Sequence, residues 1–357
     1  MILLTGALQL FLTFEEQDFS IAKKLKFIND LYSILLMYLK GNKLKKYLAE
    51  VFQTKPSKIR ILKLENSRTN IIYKFFFKNR VYIAKQYLPY VAKIPQIKIG
   101  LARVLCEHNS IKLLSRILGP QFVPDIIHFS VSSNYSMLIM GYKKSNYFFG
   151  NEKNYEKLKK RDFLILAVLL TKLHSDTKGK PNLIKPKISS ITDYDLSRTA
   201  TAQKFYKKEV LDFKKALNSY QKSIVWGDCC PKNLIIHNRK ICLIDFEFCH
   251  YNSPIIDIGF FLAHIILFIT QHNCYKNQLI DNLKSFIQSY KKETKLHSIN
   301  ILIDLSFVYA GIVLVHKIHS KAKYKISEKH KKLIANIAAK LIKKQITSLK
   351  DLENYLT

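Results

Sequence analysis

Asp228, Asn233 and Asp245 are three oxygen-bearing side chains spaced five and twelve residues apart. They lie in Trp226-Gly227-Asp228-Cys229-Cys230-Pro231-Lys232-Asn233 and Leu243-Ile244-Asp245-Phe246-Glu247. Phosphoryl transfer needs groups in this order. One carboxylate accepts or orients the proton of an attacking hydroxyl, while an amide oxygen and a second carboxylate hold a magnesium ion against nucleotide phosphates. Few, hard oxygen ligands suit Mg2+, which keeps several waters and takes its remaining oxygens from the nucleotide. The plainer reading of the same residues is two capping aspartates and a turn asparagine on a surface.

Local sequence can bring the three together. Ile224-Val225-Trp226 is a short apolar run leading into Gly227, followed by a polar loop closed by Pro231. Leu234-Ile235-Ile236 and Ile241-Cys242-Leu243-Ile244 are β-prone runs separated by the turn-like His237-Asn238-Arg239-Lys240. The expected hairpin has Asn233 entering its first strand and Asp245 leaving its second, so the two metal ligands become neighbours.

The full string resembles the Brenner-type signature of the aminoglycoside phosphotransferase, choline kinase and methylthioribose kinase superfamily. That signature reads His-Gly-Asp, four residues, Asn, then Ile-Asp-Phe/Trp-Glu, then Asp-Ile/Leu-Gly/Ala. The last block stands here as Asp257-Ile258-Gly259. The resemblance implies an α+β, bilobal protein-kinase-like fold, with a small antiparallel β-sheet N-lobe carrying a helix and a larger, mainly helical C-lobe. It further implies ATP and Mg2+, with Asp228 as catalytic base and Asn233 and Asp245 as metal ligands. Asp257 is expected to brace the catalytic loop, and His174 to be a packed or capping residue.

Upstream, 59–64, 71–77 and 80–87 read as strands, the last two joined by a Lys78-Asn79 turn. Alternation sets Tyr82 and Ala84 on one face and Val81, Ile83 and Lys85 on the other. A helix over 103–118 follows, and 126–129 and 136–140 read as a strand pair. By the resemblance, Lys85 contacts the α- and β-phosphates, Glu107 positions Lys85, and Met140 and Tyr142 flank the hinge that meets the adenine edge. Two residue choices depart from the family. The phosphate-covering turn, residues 65–70, has no glycine, so Ser67, Arg68 and Asn70 are the side-chain donors available for phosphate. Trp226 also replaces the usual histidine.

The formal net charge of +33 invites a polyanion-binding reading. Lysine nevertheless outnumbers arginine about six to one and is scattered through every predicted helix. Arginine is the residue expected where planar, bidentate recognition of phosphate or bases matters. Nucleic acid is therefore not an expected partner, and a polycationic drug acceptor is disfavoured. The six cysteines lack zinc-ribbon spacing and read as reduced thiols of a cytoplasmic protein. No run reaches eighteen consecutive apolar residues, so no membrane span is expected.

The expected organisation is a helical extension over 1–50, an N-lobe over 51–141 and a C-lobe over 142–357. A polar connector at 181–201, containing Asp193, Tyr194 and Asp195, is placed by family analogy near the acceptor. The expected activity is transfer of the ATP γ-phosphate to a hydroxyl of a small molecule, such as a methylthioribose-like sugar or another small alcohol. Choline or ethanolamine is an alternative acceptor. A catalytically impaired scaffold, marked by Trp226 and the glycine-free turn, is the alternative of another class.

Overall fold

A computed structural model of the chain describes residues 39–64, 67, 69–131, 136–144, 147–148, 158–184, 197–238, 240–319 and 326–356. Residues 65, 66 and 68 of the phosphate turn and 185–196 of the polar connector, with Asp193, Tyr194 and Asp195, lie outside them, as do residues 1–38. The chain divides into two compact units, 1–59 with 132–135, and 60–131 with 136–357. In the first, helix α1 (Gly41–Val51) buries Leu44, Leu48 and Ala49 along one face.

The second unit opens with β-structure. Its strands are β1 (Arg60–Leu64), β2 (Ile71–Phe77), β3 (Arg80–Tyr87), β4 (Tyr90–Val91), β5 (Ile94–Lys98), β6 (Ile126–Ser130) and β7 (Ser136–Gly141). Five of them form an antiparallel sheet in the order β1-β2-β3-β7-β6. The β2–β3 hairpin turns through Lys78 and Asn79 at φ +46° and +57°, the left-handed pair that a two-residue turn needs to match strand twist. The small β4–β5 hairpin has no counterpart in the sequence reading. Helix α2 (Arg103–Leu118) packs against β6 and β7 and buries Arg103 and Glu107 along with its apolar residues.

Helices dominate the remainder: α3 (Lys160–Asp176), α4 (Lys207–Ser219), α5 (Ile255–Gln271), α6 (Lys276–Glu293), α7 (Ile299–His319), α8 (Glu328–Ile342) and α9 (Leu349–Leu356). Helix α5 packs on α7, α7 on α8, and α3 on α6. Gly259 permits the α5–α7 contact, since a Cβ there would stand 2.6 Å from the Ser306 carbonyl oxygen. By length and composition α7 is apolar enough to cross a membrane, which the absence of an eighteen-residue apolar run had not suggested. Its apolar window is 72% buried within the protein, where α5 and α8 cover it. A helix apolar on all sides is what the centre of a helical core requires.

Between α3 and α5 the chain forms the short strands that carry the motif. These are β9 (Ser223–Val225), β10 (Leu234–His237), β11 (Lys240–Leu243) and β12 (His250–Asn252), with β8 (Tyr147–Phe148) pairing earlier in the chain onto β10. Strand β9 pairs with β12, tying the start of the motif to its end.

Candidate active site

The β10–β11 hairpin pairs Leu234 with Leu243, and the Ile244 amide donates to the Asn233 carbonyl at 3.0 Å. Asn233 and Asp245 thus stand at neighbouring positions on the same end of the hairpin. The Asn233 side-chain amide donates to Asp228 Oδ2 at 2.8 Å and to the Asp228 carbonyl at 2.9 Å. Lys232 Nζ lies 3.2 Å from the same Asp228 carboxylate oxygen. Asp228 is itself buried, and so is Asn233.

The loop bearing Asp228 is fixed from behind. Gly227 has φ +80°, and a Cβ there would meet the Phe248 carbonyl oxygen at 2.2 Å, so the position tolerates no side chain. The Trp226 and Gly227 amides donate to the two carboxylate oxygens of Asp257 at 2.7 and 2.8 Å. His174 bonds Asp257 Oδ2 at 3.0 Å on one ring nitrogen and the Tyr290 hydroxyl at 2.7 Å on the other. Asp257 and His174 are fully buried and occupy the bracing and packing positions expected of them. Trp226 fills the core beside Phe246, and its indole N–H donates to the Asp245 carbonyl at 3.3 Å.

Strand β3 and helix α2 deliver the other half of the site. Lys85 Nζ lies 2.6 Å from Glu107 Oε2 and 2.5 Å from Asp245 Oδ1, with Glu247 Oε2 at 3.7 Å. Burial alone would lower the Lys85 pKa, but the carboxylates of Asp245, Glu107 and Glu247 outweigh it and hold the ammonium above its ordinary value. Burial raises Glu107 to about 7, with Lys85 opposing and Asp245 and Glu247 adding to the rise. For Asp245, burial is opposed first by Lys85, then by Lys232 and Arg103, which keep its carboxyl below the usual range. Asp245 itself adopts φ +68°, a left-handed backbone uncommon for any residue with a Cβ.

The strand register places the expected hinge at the far end of the same sheet. Lys85 pairs with Leu138 and Tyr82 with Gly141, and the Tyr142 amide donates to the Val81 carbonyl at 3.1 Å. Met140 is buried, and Lys74 Nζ stands 4.2 Å over the Tyr142 ring. Ser67 Oγ accepts the Asn70 amide at 3.3 Å. The Asn70 side chain is engaged inside the protein: it donates to Glu247 Oε2 at 2.7 Å and accepts from Arg103 Nη1 at 3.2 Å. A cavity of about 510 Å³ lined by Ile111, Ser115, Arg116 and Asp125 contains none of the expected site residues.

Sequence reading missed Glu247, Arg103 and Tyr87. The Tyr87 hydroxyl donates to Glu107, and its ring lies 5.2 Å from Lys85 Nζ and 5.6 Å from the Arg103 guanidinium carbon. Glu247 could have been found, since it belongs to the Ile-Asp-Phe-Glu block. For Tyr87 the signal is its position two residues after Lys85, on the same strand face. Arg103 at the head of a lysine-rich chain's helix offers none. Among the described residues, Glu107, Asp245 and Glu247 form the one acidic group whose oxygens all lie within 4.8 Å of one another.

Solved structures share this fold. An amicoumacin kinase in complex with AMP-PNP, Ca2+ and Ami aligns with a TM-score of 0.55 at 14% identity, covering 88% of this chain and 98% of that one. Plasmodium vivax ethanolamine kinase aligns with a TM-score of 0.55 at 15% identity, over 92% and 98%. A choline/ethanolamine kinase family protein from Mesorhizobium loti gives 0.52 at 11% identity, over 88% and 98%. At these identities the likeness shows the kinase-like fold. Among curated proteins none matches the sequence. The profile of the phosphotransferase enzyme family matches residues 77–283. That segment is more than half of the chain and runs from the end of β2 through α5 into α6, so the chain belongs to the phosphotransferase enzyme family.

Proposed function

We propose that the protein transfers the γ-phosphate of ATP, with Mg2+, to a hydroxyl of a small molecule. The observation that carries this reading is the meeting of β3, α2 and the β10–β11 hairpin at Lys85, which touches Glu107 and Asp245 at once. Asp228 acts as base toward the acceptor hydroxyl, Lys85 clamps phosphate oxygens, and Glu107 positions Lys85. The backbone at Met140–Tyr142 faces the adenine edge, and Ser67 and Asn70 mark the two ends of the described phosphate turn.

The donor set fits a divalent ion. Among the described residues the carboxylate oxygens of Glu107, Asp245 and Glu247 lie within 4.8 Å of one another, a hard-oxygen group of the kind a divalent ion takes, and Asp245 is the most exposed of the three. Asn233 and Asp245 would hold the metal, which supplies charge neutralisation at the phosphates.

The formal net charge of +33 weighs against an aminoglycoside as acceptor; a methylthioribose-like sugar is the first compound to test, with choline or ethanolamine as the alternative. Five buried free thiols accord with a reducing, cytoplasmic setting.

Thermal unfolding with and without Mg-ATP, on the natural protein and on Asp245→Ala, tests the assignment. A ligand at a hundred times its dissociation constant adds about 2.7 kcal/mol. A magnesium-dependent rise in Tm that disappears in the variant is expected. No rise at millimolar Mg-ATP would favour the scaffold reading.

A further inference from the structure

A buried chain of polar contacts joins three segments assigned above to phosphate and metal binding. Arg103, the first residue of α2, is 1% exposed. Its Nη1 donates to Glu247 Oε2 at 2.6 Å and to Asn70 Oδ1 at 3.2 Å, and Asn70 Nδ2 donates to that same Glu247 oxygen at 2.7 Å. The other guanidinium nitrogens are occupied as well. Nη2 donates to the Leu88 carbonyl and Nε to the Gly100 carbonyl, both at 3.1 Å. The rigid fork of an arginine can hold four acceptors in fixed directions, which a lysine cannot.

What this fork holds is informative. Glu247 lies two residues beyond Asp245, whose left-handed backbone persists only where the surroundings impose it. Asn70 closes the turn between β1 and β2, and Ser67 Oγ in turn accepts its amide.

We propose that Arg103 is a positioning residue for phosphoryl transfer. Through Glu247 it holds the loop of Asp245, and through Asn70 it ties that loop to the residue that leads into β2. The inference rests on the ATP- and Mg2+-dependent reading of the site.

Calorimetric titrations separate this role from a general contribution to folding. Adenosine, which has no phosphate, reports the adenine side of the site, and AMP-PNP across a range of Mg2+ concentrations reports the phosphate side. Arg103→Gln and Asn70→Ala are expected to keep the adenosine affinity while raising the Mg2+ midpoint about tenfold or more, as loss of a ligand-orienting partner does. Arg103→Lys, which restores the charge beside Glu247 without the fork, is expected to fall between them and the natural protein.

Equal loss of adenosine binding and of metal-dependent binding in Asn70→Ala and Arg103→Gln would reduce Arg103 to a structural brace and overturn the proposal. So would an unchanged Mg2+ midpoint in both. If Arg103→Gln loses its cooperative melt, Asn70→Ala decides alone. If the natural protein shows no Mg2+-dependent binding, the kinase reading of the site falls and takes the proposal with it. Binding lost in Asp245→Ala but intact in both Asn70→Ala and Arg103→Gln removes only the positioning role.

Discussion

Asp228 and Asp245 are both aspartates of one motif, yet their surroundings give them different tasks. Asp228 faces Asn233 and Lys232, whereas Asp245 faces Lys85. Removing the proposed proton acceptor should cost catalysis without costing nucleotide binding. Asp228→Asn is expected to lower kcat by about 10²–10⁴ while the Mg-ATP-dependent rise in Tm persists, measured as ADP release beside a thermal melt. Asp245 makes a prediction in pH. Its folded-state pKa lies below the ordinary 3.8, so its ion pairs stabilise the fold above that value and are lost as pH falls through it. The difference in Tm between the natural protein and Asp245→Asn should therefore shrink below about pH 4. A difference that grew on acidification would contradict the Lys85–Asp245 pairing.

At the scale of elements, the β10–β11 hairpin and the β9–β12 pair act as a jig for the motif. The jig depends on Gly227, where positive φ and a 2.2 Å approach to the Phe248 carbonyl coincide. Gly227→Ala is expected to destabilise by more than about 1 kcal/mol, since the substitution is incompatible with the native backbone. Denaturant unfolding with an unchanged slope would measure it. Trp226 shows why departure from the family's histidine need not disable the loop. Its amide still binds Asp257, its indole reaches the Asp245 carbonyl, and its ring fills core volume. Trp226→Ala should cost about 3–5 kcal/mol from the cavity left behind.

At the scale of the whole molecule, the cysteines report burial. Cys106, Cys229, Cys230, Cys242 and Cys249 are buried, and burial raises every one of their pKa values, to about 12 for Cys106 and Cys242. Cys274 is exposed. Since the thiolate is the reactive form, iodoacetamide at neutral pH should label the native protein at Cys274 alone. The other five should react only after unfolding, as mass spectrometry would show. Every expected site residue lies in the second compact unit. A chain lacking residues 1–36 should therefore still melt cooperatively and keep its Mg-ATP response. Insolubility of the truncated chain would assign the segment to the core.

Local sequence was enough for the strands and helices whose patterns repeat over short distances. It gave β2, β3 and α2 at their observed ends, because strand alternation, the Lys78-Asn79 turn and the helical spacing of apolar residues are read within a few residues. It was enough for the motif hairpin as well, whose register follows from two β-prone runs and one turn. The meeting of Asn70 with Arg103 was beyond its reach. Nothing near either residue shows that they share one oxygen of Glu247, 177 and 144 positions away. The sequence also left open what α7 covers, since apolarity on all sides is common to membrane spans and core helices. Only packing between α5 and α8 decides that. Chemistry carried by neighbours in sequence was determined by the chain's own pattern. Charges that meet across the fold, and the pKa values they set on one another, exist only once tertiary structure has removed the water between them.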